Sequence, residues 1–111
     1  MREITKLFKA LSDPNRLRIL KMLESKPLCV CEITEALQLA TSTVSKHLSI
    51  LRDAGFIIDE KDGKWVNYTL HSEKKAMILL PIISDWLNSE DIIQKDISNL
   101  NHINRSILCG I

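Results

Sequence analysis

Apolar residues at the start of the chain recur at helical spacing. Ile4, Leu7, Phe8 and Leu11 follow i, i+3, i+4, i+7 and predict a first short helix. Ser12-Asp13-Pro14 then reads as a stop and a start: Asp13 can cap a helix whose first position is Pro14, where the missing N–H costs nothing. That second helix carries Leu17, Ile19, Leu20, Met22 and Leu23 and is expected to end near Ser25-Lys26-Pro27. Val30, Ile33 and Leu37 predict a third, short helix starting near Cys29 to Cys31, followed by a break at Gln38-Leu39-Ala40. A fourth begins around Thr41 or Ser42, buries Val44, Leu48 and Leu51, and ends at Gly55, which suits the left-handed turn beyond a helix.

After Gly55 the period changes from helical to alternating. Residues 56–61 and 64–70 predict two strands joined by an Asp62-Gly63 hairpin loop, with Val66, Tyr68 and Leu70 sharing one face. Ala76, Leu79, Leu80, Ile83, Trp86 and Leu87 return to helical spacing, and Pro81 requires that helix to start or kink there. Ser89 is a candidate cap for a last helix with Ile93, Ile97, Leu100 and Ile103 on one side.

Two short helices (about 30–37 and 42–54), a tight turn and a two-stranded hairpin (about 56–70) make a winged helix-turn-helix. The class is α+β and mainly helical. One domain over about 1–105 is expected, with a tail from 106 carrying Cys109. In such a pair the second helix lays its amino end into the major groove, where short polar side chains reach base edges. Ser42, Lys46, Ser49 and Asp53 lie opposite the buried stripe, flanked by Thr43 and Ser45. Ser and Thr are poor helix formers, so their use on an exposed face suggests a reason other than stability. Ser42, Thr43, Ser45, Lys46 and His47 are the candidate contacts to double-stranded DNA, with Lys61 and Lys64 of the hairpin offered to phosphates. His47 sits at the edge of the buried stripe and fits a contact or a packed position equally well. The stripes Ile4/Leu7/Phe8/Leu11 (helix about 4–11) and Ile93/Ile97/Leu100/Ile103 (helix about 90–103) lie outside this unit. They offer more apolar surface than one small domain needs, which points to a homodimer reading two half-sites.

Composition narrows this further. In 111 residues, 45% hydrophobic and 26% charged, a single globular domain is the natural size. Lys and Arg number 15 against 14 Asp and Glu, a net charge of +1, so any nucleic-acid contact must come from locally placed groups. The longest apolar run is far short of the roughly 20 residues that cross a bilayer, and the amino end lacks a signal-peptide core. The expectation is a cytoplasmic protein with no membrane partner. Three cysteines, Cys29, Cys31 and Cys109, are then candidate thiolate ligands or buried small residues rather than a disulfide scaffold.

Three separated motifs resemble the ArsR/SmtB family of bacterial metal-responsive repressors: residues 11–20 (Leu11-Ser12-Asp13-Pro14-Asn15-Arg16 onward), residues 41–55 (Thr41 to Gly55), and residues 63–68 (Gly63-Lys64-Trp65-Val66-Asn67-Tyr68). The resemblance runs from about Ile4 to Leu70 and implies a homodimeric repressor that leaves its operator when a toxic metal or metalloid binds. Leu28-Cys29-Val30-Cys31-Glu32-Ile33 is similar to the motif through which arsenite repressors of the family bind As(III). Those proteins place a third cysteine three residues after the second, where this chain has Thr34, no substitute for a soft thiolate. Cys109 is then the candidate third sulfur beside Cys29 and Cys31, with As(III) or Sb(III) as the regulatory ligand and no cofactor required. Cadmium and lead sensors of the family add cysteines from an amino-terminal extension, and residues 1–28 contain none. Zinc and nickel sensors use paired His and carboxylates on the last helix, where this chain offers only Asp91, Asp96 and His102. Arg16 and Arg18 match the family motif and are expected to be structural ion-pair partners.

Two rivals remain at this level. One is a thiol redox-responsive or Cd/Pb-responsive repressor on the same scaffold. The other is a small thiol enzyme, which the lack of a positioned base near the cysteines argues against. The expectation is a regulator and not an enzyme.

Overall fold

The computed structural model describes residues 1–71 and 74–103. The element order is α1 (Arg2–Ala10), α2 (Pro14–Leu23), α3 (Val30–Leu37), α4 (Thr41–Asp53), β1 (Ile57–Asp62), β2 (Trp65–Leu70), α5 (Lys74–Leu87) and α6 (Asp91–Leu100). This is the winged helix-turn-helix read from the pattern, with an antiparallel β1–β2 wing.

Local chemistry sets the boundaries. Asp13 caps α2 from an extended conformation, its Oδ1 accepting the N–H groups of Asn15 (2.8 Å) and Arg16 (3.3 Å), with Pro14 next in line. At the end of α4, Gly55 takes φ +89°. Its N–H donates to the Arg52 carbonyl, and Phe56 N–H donates to that of Leu51, both at 3.0 Å. This is the paired carbonyl closure of a Schellman motif, and its accompanying apolar contact comes from Phe56 and Leu51, both buried. Gln38 ends α3 at φ +56°, a left-handed conformation that costs a side-chain-bearing residue on the order of 1 kcal/mol. The gain is the sharp turn into α4.

Two expectations change and a third, a helix start or kink at Pro81, narrows to one alternative. Strand pairing runs from Ile57 opposite Leu70 to Asp62 opposite Trp65, so the hairpin loop is Gly63-Lys64 rather than Asp62-Gly63. Gly63 has φ +60° and Lys64 does not have a positive φ, the pattern of a II′ turn; glycine alone carries the left-handed position and Lys64 moves to the wing tip. Ser89 does not cap α6, whose N-cap is Glu90; its hydroxyl donates back to the Trp86 carbonyl at 3.4 Å. Helix α5 runs through Pro81, which is exposed.

Below α4 the core gathers Ile19, Leu20, Met22, Leu28, Ile33, Val44, Leu48, Leu51 and Phe56. It also takes up much of the surface assigned to dimerisation. Leu7 and Leu100 belong to this cluster, Leu11 and Ile103 pack against it, and Ile93 is buried. Ile97 is half-buried, and only Ile4 and Phe8 of the two stripes stay exposed. The reason is α6, which folds back onto α2 and α3 and spends its apolar face inside the chain. The exposed large apolar residues are Met1, Ile4 and Phe8 at the start of the chain, Val66 of β2, Met77, Ile78, Ile82 and Trp86 of α5, and Ile92 of α6. No helix among the described residues is long and apolar enough to cross a membrane.

Helix α6 is pinned by a forked ion pair. Arg18 donates from Nε to Asp96 Oδ2 (2.8 Å) and from Nη2 to Oδ1 (2.9 Å), and the Asp96 side chain is 2% exposed. The hydrogen bonds to Asp96 hold the Arg18 guanidinium above its usual pKa, against the opposing effect of burial. Arg18 is thus the ion-pair partner expected. Replacing it with Ala strands a buried carboxylate and should cost about 3 kcal/mol in urea unfolding, whereas the double change Arg18→Met/Asp96→Leu should cost far less.

Candidate nucleic-acid interface

The α3–α4 pair presents one face of α4 to solvent. Val44, Leu48 and Leu51 anchor it from beneath, and Ser42, Thr43, Ser45 and Lys46 are all exposed. The N-cap of α4 is Ala40, so no side chain closes its first turn. Small hydroxyls, one cation and an open helix amino end share this surface.

His47 is placed differently from its neighbours. It is half-buried, with Nδ1 3.2 Å from Nη1 of Arg16. The same guanidinium donates from Nε to the Ala10 carbonyl (2.8 Å) and from Nη2 to that of Lys9 (3.0 Å), closing the end of α1. Arg16 lies 4.0 Å from Asp13, so carbonyls and His47 hold it more closely than its ion pair does. Sequence spacing hides this link: Arg16 and His47 are 31 residues apart and only the α2–α4 packing brings them together. Asp13, Arg16, Ser42, Thr43, Lys46 and His47 line an open groove of about 560 Å³ beside the amino half of α4.

On the wing, Lys61 and Lys64 are exposed as expected, but so are Asp59, Glu60 and Asp62. Asp59 pairs with Arg52 of α4 at 3.5 Å. The wing therefore offers cations at its tip on an otherwise acidic strand.

The cysteines sit at the junction of these parts. Cys29 is the buried N-cap of α3, in an extended conformation, and Cys31 lies one residue inside the helix and is exposed. Glu32 completes a capping box, its Oε1 accepting the Cys29 N–H at 3.0 Å. Neither cysteine is in a disulfide among the described residues. Among the described residues no three His, Cys, Asp or Glu side chains converge as a metal site. Cys109 falls outside those residues. Thr34 Oγ1 is buried with no hydrogen-bond partner among the described residues, at the position i+3 from Cys31. One feature was not legible in the sequence: Leu28, next to Cys29, exchanges both backbone hydrogen bonds with Tyr68 of β2 (3.1 and 2.7 Å). The cysteine segment is tied to the wing through its backbone and to α4 through α3 packing.

Fold and surface together define a winged helix-turn-helix regulator with a thiol pair at the start of its helix-turn-helix. The family model described as "Bacterial regulatory protein, arsR family" matches residues 13–59. The arsenical resistance operon repressor of Escherichia coli (strain K12) is 38% identical over 101 residues, covering 90% of this chain and 86% of that protein. The arsenic resistance transcriptional regulator ArsR1 of Pseudomonas putida (strain KT2440) is 44% identical over 77 residues, covering 66% of this chain and 60% of that one. Reduced HlyU from Vibrio cholerae N16961 superposes with a TM-score of 0.69 at 30% identity, over 79% of this chain and 92% of that structure. The chain belongs to the arsR family: it is a transcriptional repressor of that family, a DNA-binding regulator and not an enzyme.

The cap that sets α2 beside this surface titrates. Burial works against ionisation of Asp13, but the N–H groups of Arg16 and Asn15 and the charges of His47 and Arg16 outweigh it and hold the carboxyl below its ordinary pKa. Its contribution is therefore fully present above the unfolded value, about 3.9, and is lost as pH falls through the lower folded value. Asp13→Ala should cost about 1 kcal/mol near neutral pH, with a gap to wild type that closes in acid. Asp13→Asn, a cap that does not titrate, should remove that pH dependence; urea unfolding across the acid range checks both.

Proposed function

We propose that this chain acts in the cytoplasm as a homodimeric repressor that binds operator DNA through Ser42, Thr43, Ser45 and Lys46. It leaves the operator when As(III), or Sb(III) with its similar thiol chemistry, is taken by Cys29 and Cys31, derepressing a metalloid-resistance operon. The single observation that carries this is the place of Cys29: it caps α3, and its neighbour Leu28 is paired in both directions with the wing. The relatives named for arsenical and arsenic resistance support the choice of ligand.

Cys29 and Cys31 occupy opposite environments, one buried and one exposed. Two thiolates can turn to one centre only if the first turn of α3 opens, because side chains at i and i+2 diverge on a regular helix and converge in an extended segment. Opening it breaks the Cys29 cap and the Glu32 bond, disturbing α3 against α4 and Leu28 against β2. Going from mostly bound to mostly free takes about a 10⁴-fold preference for the DNA-incompetent form, some 5.5 kcal/mol. Structural zinc sites in zinc-finger peptides bind with about 10–16 kcal/mol at pH 7, so metal–thiolate coordination is on the scale that this preference requires.

Cys109 remains the proposed third sulfur. The end of α6 supports it: His102 and Ile103 line a groove with Glu35 and Ala36 of α3. Six further residues reach at most roughly 20 Å, and the start of α3 lies about 10 Å back along its axis. Cys31→Ser should keep DNA affinity and abolish release by arsenite in a fluorescence titration of the promoter fragment preceding the gene. Thr34→Cys should sharpen release by placing a sulfur one turn from Cys31. Normal release from the Cys31 variant overturns the ligand assignment, and release by Cd(II), Pb(II) or mild peroxide instead of arsenite identifies the rival sensors.

For the dimer, the first and last helices remain the proposed interface, and the exposed Phe8 of α1 and Trp86 of α5, at 57% and 71% exposure in the single chain, are proposed as its anchors. Phe8→Ser/Trp86→Ser should shift the protein to a monomer in sedimentation velocity and cost most of its operator affinity.

A further inference from the structure

With a net charge of +1 and an acidic wing strand, this chain has few places from which to hold a polyanion. Helix α1 is one. Arg2, Lys6 and Lys9 follow i, i+4, i+7 on the side opposite Ile4, Leu7, Phe8 and Leu11, and all three are exposed. Among the described residues no carboxylate lies within ion-pair distance of any of them; Glu3 turns instead to Lys75 at 3.2 Å. The three line an open groove of about 860 Å³ whose other wall is Ile50 and Asp53 of α4. That groove shares Arg16 and Ile50 with the one beside Ser42 and Lys46, so the two lie next to each other along α4. Their carboxylates are Asp53 and Asp13, and Asp13 is engaged in capping α2. Arg16 is itself committed to two carbonyls and His47, which leaves Lys46 and the three α1 cations as the charges without an ion pair there among the described residues.

We propose that the basic face of α1, through Arg2, Lys6 and Lys9, is a phosphate-binding surface that grips the backbone of the duplex whose bases α4 reads. This rests on the DNA-binding role argued above. Unpaired cations beside a helix lying in the major groove meet the flanking sugar-phosphate strand, and such contacts add affinity without adding sequence preference. Helix α1 then has two jobs on opposite faces: an apolar face for protein and a cationic face for DNA. The wing becomes the lesser of the two phosphate contacts.

The test is the salt dependence of binding to a random-sequence duplex of about three helical turns, followed by fluorescence anisotropy between about 50 and 200 mM KCl. Each phosphate left without its cation lowers the slope of log affinity against log salt by about 0.9, so Lys6→Ala/Lys9→Ala should lower it by about 1.8 per chain. Lys6→Arg/Lys9→Arg should restore the slope, which separates the missing charge from damaged folding. A remote pair on elements that line neither groove, Lys26→Ala/Lys95→Ala, should leave it in place. An unchanged slope in the Lys6/Lys9 variant, or an equal fall in the remote pair, overturns the proposal. If the wild type then still selects its own promoter fragment over the random duplex, the repressor reading survives that failure. Wild type that binds neither duplex overturns both.

Discussion

The first residues of α3 hold the molecule's working parts in register. Leu28 exchanges two backbone hydrogen bonds with the wing, Cys29 caps the helix, and Glu32 returns a carboxylate to the Cys29 N–H. Helix α3 then carries α4 on its far side. These few bonds are made within a handful of neighbouring residues, and they join the cysteine segment both to the wing and, through α3, to α4. A larger domain could spread that dependence over many contacts. In a chain this short it falls on one capped helix start, and the thiols sit at that start.

Charge is distributed with similar economy. The buried Arg18–Asp96 fork ties α6 to α2, and buried Lys21 is satisfied by Glu24, Ser84 and Asn88. Arg16 stitches the end of α1 to α4. Much of the cationic character of α2 is therefore used internally. What remains for a polyanion is Lys46, the tip of the wing and the outer face of α1. A balanced net charge thus coexists with a locally positive side.

Fold class was readable because each element carries a local signal: Asp13-Pro14 starts α2, Gly55 stops α4, and alternating residues mark the wing. The exposed serines and threonines of α4 were readable for the same reason, since helical period separates their face from Val44, Leu48 and Leu51. Other assignments failed or stayed open where the deciding neighbour lies far along the chain. The last helix has an apolar stripe suited to a dimer, and within the single chain much of that stripe already packs on α2 and α3. His47 was ambiguous until Arg16 appeared beside it, and the hairpin loop shifted by one residue because cross-strand pairing, not the Asp-Gly dipeptide, sets register.

By itself, then, the amino-acid order determined the succession of elements, the face of α4 left bare, and the chemical identity of the soft donors, because capping, periodicity and side-chain chemistry act over a few residues. Tertiary structure decided which apolar stripe remains uncovered, which arginines are spent inside the fold, and that the thiol-bearing turn is bonded to the wing. Those outcomes depend on contacts between residues tens of positions apart, and only the closed core brings them within reach.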